Sequence, residues 1–103
     1  MTTLQKRAQA FENKFMHDEE LLFKAQARRN GLIGLWAAAI MGKADADAYA
    51  KDLIAADVTQ KDGVFARLRQ DFDAAGVTVL DDEIRQRMTS LLKDTARSMY
   101  EGR

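Results

Sequence analysis

The chain has 103 residues, enough for one domain that closes a core without covalent staples, and 47% of them are apolar. Its 16 acids balance its 16 bases, which argues against a general nucleic-acid binder, because such affinity comes from neutralising phosphates. With no cysteine there is no disulfide, no thiolate metal site and no thiol nucleophile, a composition suited to a reducing compartment.

The first residues, M-T-T-L-Q-K-R-A-Q-A, lack the apolar core of a signal peptide, so a cytoplasmic protein is expected. From Leu4 the apolar positions fall at Leu4, Ala8, Phe11 and Phe15, a narrow stripe at helical spacing. Lys6, Arg7, Glu12 and Lys14 occupy the other faces. The segment has few aliphatics beyond its stripe and no capping signal of its own, so alone it makes a marginal helix. Residues 1–17 are therefore expected to form a flexible arm of helical periodicity. Anchors at this spacing suit helix-in-groove recognition, and Lys6, Arg7 and Lys14 favour a cleft with acidic walls.

A long helix begins near Asp18. Asp18, Glu19 and Glu20 crowd its start and Lys24, Arg28 and Arg29 follow, the order that suits the helix dipole. Glu20 and Lys24 form a favourable i,i+4 pair. Leu21, Ala25, Leu32, Leu35, Trp36, Ala39 and Ile40 are expected to supply a broad buried face. The run from Leu32 to Met41 is apolar all round, as in a helix packed on several sides. It is about half the roughly 20 residues needed to span a bilayer, so no membrane insertion is expected. Gly42 suits the position just past the helix end. Asn30 and Gly31 predict a bend in the middle, since glycine is a poor helix former.

Three more helices follow. Asp45 caps one carrying Ala46, Tyr49, Ala50, Leu53 and Ile54 on its inner side. Thr59-Gln60-Lys61-Asp62 resembles a capping box with aspartate in place of glutamate. Behind it Val64, Phe65, Leu68, Phe72 and Ala75 make an apolar stripe that Gly76 ends. Val77, Thr78 and Val79 read as an extended connector. Asp81 is expected to cap the last helix, with Ile84, Met88, Leu91, Leu92, Ala96 and Met99 facing in. Short connections favour antiparallel neighbours. The predicted architecture is all-α: a four-helix bundle over residues 18–103 behind the flexible arm of residues 1–17.

Chemistry finds little purchase on this pattern. His17 and Glu20 are i,i+3 neighbours, but a di-metal bundle needs a second histidine and the order is wrong for H-E-x-x-H, so the acids read as a helix start. Ser90 and Ser98 lie outside any G-x-S-x-G elbow. Gly31-Leu32-Ile33-Gly34 has the spacing of a nucleic-acid-clamping loop, yet that loop belongs to folds with strands, so close helix packing is the better reading. In a helix-turn-helix reading of residues 45–75, Lys61, Arg67 and Arg69 would meet phosphate. Asp57, Asp62, Asp71 and Asp73 would repel it. No catalytic residue, metal or required cofactor is expected, and the chain does not read as an enzyme. One ligand reading stays open: Trp36 and Tyr49 stacking on a base while Lys24, Arg28, Arg29 and Lys51 meet phosphates, for weak ATP or ADP binding. Its plain alternative is core aromatics beside a solvated charged face.

The run A-F-E-N-K-F-M-H-D-E-E-L-L-F-K-A-Q-A-R-R-N-G-L-I-G-L-W-A-A resembles the zeta-subunit family of alpha-proteobacterial F-type ATP synthases. The likeness continues through A-Y-A-K-D-L-I-A-A-D, V-F-A-R-L-R-Q-D-F-D-A-A-G-V and D-D-E-I-R-Q-R-M, covering nearly the whole chain. Leu22 departs from a position the family often fills with a base, and Leu80 from one usually held by a small capping residue. The resemblance implies a non-catalytic inhibitor of ATP hydrolysis. It implies as partner the F1 catalytic head, with its α, β and γ subunits, on the cytoplasmic face of the inner membrane. Carried onto this sequence, the inhibitory region is the arm from Thr2 to about His17, entering an α/β catalytic interface beside the γ rotor, with Leu4, Phe11 and Phe15 as anchors. A helical adaptor or nucleotide-sensing regulator of another assembly is the alternative.

Overall fold

The computed structural model describes residues 18–59 and 62–101. The arm of residues 1–17, with its stripe and His17, lies outside them. Among the described residues there are four α-helices and no strand: α1 (Glu19–Met41), α2 (Ala46–Thr59), α3 (Gly63–Ala74) and α4 (Asp81–Glu101).

The ends of α1 are set by local chemistry. Asp18 takes an extended conformation and its carboxylate accepts the Leu21 N–H at 3.1 Å, satisfying one of the orphan donors of the first turn. Glu20 and Lys24 pair at 3.0 Å on the exposed face, a contact worth about 0.3–0.5 kcal/mol. At the other end Gly42 adopts φ 69°, left-handed, so that its N–H reaches the Ala39 carbonyl at 3.3 Å. The Lys43 N–H reaches the Ala38 carbonyl at 2.9 Å, completing a Schellman closure. Gly76 repeats this device after α3, with the Val77 N–H bonded to the Phe72 carbonyl at 3.0 Å. Asp45 caps α2 by accepting the Ala48 N–H at 3.0 Å. The bend predicted at Asn30 and Gly31 does not break α1. Arg29 Nε donates to Asn30 Oδ1 at 2.7 Å and its Nη1 to the Met88 carbonyl at 3.3 Å, which ties this turn to α4.

Helix α1 is the spine, packing most extensively on α2 and α4, while α3 leans on α2. The main core joins Ile33, Ala37 and Ala38 of α1 to Leu53, Val64, Leu68, Phe72 and Ile84. Trp36 meets Phe72 edge-on at 5.7 Å. A smaller cluster near the N-terminal end of α1 packs Leu21, Leu22 and Ala25 against Leu92, Ala96 and Met99 of α4. Leu22 therefore has a packing role. Met88 and Leu91 are half-buried against the main core, as their inward placement predicted.

Three sequence expectations are corrected. The buried face of α1 is Ala25, Ile33, Gly34, Ala37 and Ala38, whereas Leu32, Leu35 and Ile40 are 42%, 39% and 40% exposed and Ala39 is exposed. A segment apolar all round carries no phase of its own; the crossing with α2 sets it, because a Cβ on Gly34 would stand 2.7 Å from the Ala50 Cα. Ile54, predicted to face in, lies on the rim of this crossing, and Ala75 is exposed beyond the end of α3. Second, Thr59 is no cap: it is the last residue of α2. Asp62 holds the N-cap position of α3 in the left-handed region (φ 56°) without a side-chain cap bond. Third, the cap position of α4 belongs to Leu80, whose N–H donates to Glu83 Oε1 at 3.2 Å and whose carbonyl accepts the Ile84 N–H at 3.1 Å. Asp81 is the first helical residue, and its carboxylate accepts from Arg69 Nη1 at 2.9 Å instead.

Candidate functional site

The charged side chains of α3 do structural work. Arg69 Nη2 and Nε donate to Asp73 at 2.7 and 3.2 Å, and its Nη1 donates to the Val79 carbonyl at 2.6 Å as well as to Asp81. Bonds to Asp73 and then Asp81 raise the guanidinium pKa further, so Arg69 pins the extended connector as a permanent cation. The Arg67 Nε and the Tyr49 hydroxyl donate to the same Asp71 oxygen, at 2.8 and 2.7 Å. Burial, then the bond to Asp71, pushes the Tyr49 phenol well above its ordinary range. Arg67 and Arg69, weighed above as phosphate contacts, are thus both engaged by carboxylates.

The six residues weighed for nucleotide contact are dispersed over several surroundings. Arg29 is buried and bonded within the α1–α4 seam. Tyr49 is buried against α3, with Lys43 5.2 Å from its ring centre. Trp36 is half-buried between Phe72 and the Arg87 guanidinium, which lies 4.5 Å from its ring centre. Lys24 pairs with Glu20. Arg28 and Lys51 do come together, on the two walls of a groove between α1 and α2 that is separate from the one Trp36 lines.

That groove is a surface sequence reasoning missed. Ala27, Gly31, Leu32 and Leu35 of α1 line it with Ala50 and Ile54 of α2. Its leucines read as core residues in the sequence, because nothing local marks which side of an all-apolar helix turns inward. The clue within reach was Gly34 in Gly31-Leu32-Ile33-Gly34, which marks where another backbone approaches. The inhibitory-arm residues Leu4, Lys6, Arg7, Ala8, Phe11, Lys14 and Phe15 lie outside the described residues.

Among the described residues no helix is long and apolar enough to cross a membrane, and no group of three or more His, Asp or Glu side chains is placed to hold a metal ion. A protein-family model described as ATPase inhibitor subunit zeta matches residues 1–98. No curated protein matches the chain. The family match takes in both the arm and most of α4, so the features of the arm and of the bundle fall within one family pattern.

Proposed function

Because the chain belongs to the ATPase inhibitor subunit zeta family, we propose that it restrains ATP hydrolysis by lodging residues 1–17 in a catalytic interface of its ATPase while the bundle anchors it outside. The partner in this reading is the F1 head of an F-type ATP synthase, with the arm between α and β subunits beside γ, on the cytoplasmic face of the inner membrane. The observation that carries the reading is that the family match begins at residue 1 and so includes the arm. Two further features support it. The described helices close both apolar clusters among themselves, as an anchoring body should, and Asp18 gives α1 a firm start where the arm ends.

The arm orders as a helix on entering the cleft, which costs about 2–5 kcal/mol of the gross binding energy. Insertion therefore depends on how open the catalytic interface is. Inhibition is steric: a helix occupies the place where a rotating interface must close, and no bond is made or broken. Leu4, Phe11 and Phe15 anchor, and Lys6, Arg7 and Lys14 meet acidic walls. Deleting residues 2–15 should abolish inhibition of the purified head while leaving the helicity and melting of the bundle nearly unchanged. Full inhibition by the shortened chain would overturn the assignment.

A further inference from the structure

We propose that the groove between α1 and α2 is a second docking surface, for an acid-flanked amphipathic helix of the ATPase this chain inhibits. The proposal rests on the reading above for the identity of the partner, and on the groove itself for its chemistry. Arg28, Leu32 and Leu35 follow one another at i, i+4 and i+7 along α1, and Asp47, Lys51 and Ile54 do the same along α2. Two parallel rows at helical spacing, apolar within and charged at the rim, are the shape into which a third helix packs. Leu32, Leu35 and Ile54 are between 36% and 42% exposed and lie together on this one surface.

Gly31 adds an independent observation. A Cβ there would meet nothing nearer than Ile54 Cδ1, at an ordinary 3.5 Å, so the packing of α1 on α2 does not require glycine at this position. Gly34, one turn on, is required by the approach of Ala50. Gly31 is thus a poor helix former in a helix interior that has room for a Cβ, and its effect is to leave the groove floor low.

Charge selects the occupant. Arg28 and Lys51 are the two cations on this lining, and like Lys43, Arg87, Lys93 and Arg97 they have no carboxylate partner among the described residues. Asp47 is the single acid on the lining. The chain's own arm brings Lys6, Arg7 and Lys14 against one Glu12, so it is repelled from this rim. A two-fold contact between copies would bring Arg28 and Lys51 of both onto one patch, four cations against only the two copies of Asp47. A helix presenting apolar residues between carboxylates fits instead.

The test uses the full chain with the intact ATPase head. The paired substitution Arg28→Glu and Lys51→Glu changes exposed side chains and should leave melting unchanged. It should weaken binding to the head at least tenfold and flatten the salt dependence of binding. Leu32→Asn with Leu35→Asn should weaken binding similarly, and the charge pair keeps the test decisive if the leucine pair disturbs the fold. Inhibition should still be complete when either variant is saturating, because the arm is intact. A photo-crosslinker at position 32 should capture an acidic helical segment of the head. Capture only of the chain's own arm or of a second copy would overturn the proposal, as would variants that bind like the parent chain. If instead the shortened chain lacking residues 2–15 still inhibits while the charge pair loosens binding, arm insertion falls and the groove stands.

Discussion

Tyr49 and Arg69 show how distant neighbours set what a single side chain does. Tyr49, weighed as a stacking residue, spends its hydroxyl on Asp71 at 2.7 Å. Its raised phenol pKa carries a stability consequence. A group whose folded pKa lies above its unfolded value, here about 10, contributes stability that is fully present below that pH. The contribution is lost as pH rises through the folded value. Tyr49→Phe should therefore cost about 0.5–1.5 kcal/mol at neutral pH, read by urea denaturation, through loss of the hydrogen bond. Above about pH 10 the gap between variant and parent should narrow, because the parent loses stability there and phenylalanine does not titrate. A constant gap across that range would show that the phenol does not titrate higher in the folded protein than in the unfolded chain. Arg69 makes the complementary point: a cation that looks available for phosphate in the sequence is spent on Asp73, Asp81 and the Val79 carbonyl, holding the connector that sets where α4 begins.

At the scale of the element, α1 is where packing outweighed pattern. Its two ends follow from Asp18 and Gly42, but its rotation follows from Gly34 against Ala50. The two glycines of the same helix should respond in opposite directions. Gly34→Ala places a methyl 2.7 Å from backbone and must push α1 and α2 apart, costing about 1–3 kcal/mol as overpacking does. Gly31→Ala meets only Ile54 at 3.5 Å and gains helix propensity, stabilising by about 0.5–1 kcal/mol. Denaturant midpoints of the two variants measure both. Equal destabilisation would mean that Gly31 also serves the crossing. The start of α4 shows the same contest between local and distant partners. Asp81 is a good capping residue by composition, yet Arg69 from α3 claims it, and Leu80 takes the cap position with Glu83 supplying the bond.

Taken as a whole, the molecule gathers its two apolar clusters along one helix, with α1 contributing to both. That arrangement suits an anchoring body. If the arm acts as proposed, Phe11→Ala with Phe15→Ala should raise the concentration needed for half inhibition, losing about 1–3 kcal/mol per buried anchor. Melting of the bundle should be unchanged. Unfolding of the double variant would instead place both phenylalanines in the core. The arm and the α1–α2 groove would then divide the work, one blocking the catalytic interface and the other holding the inhibitor in place.

What the residues determined unaided is the all-α class, the four helices after Asp18 and four of their limits. These depend on neighbours a few positions apart: Asp18 and Asp45 accepting from the first turns, Gly42 and Gly76 turning left-handed to close the last ones. The family, too, was legible, because its signature is a contiguous run that needs no folding to be read. Only the tertiary structure decided which side of α1 is buried, who caps α4 and where Arg28 and Lys51 meet across a groove. The reason is physical. A capping bond closes within one turn, whereas the phase of a uniformly apolar helix is degenerate until a second backbone, here Ala50 against Gly34, leaves only one rotation that fits.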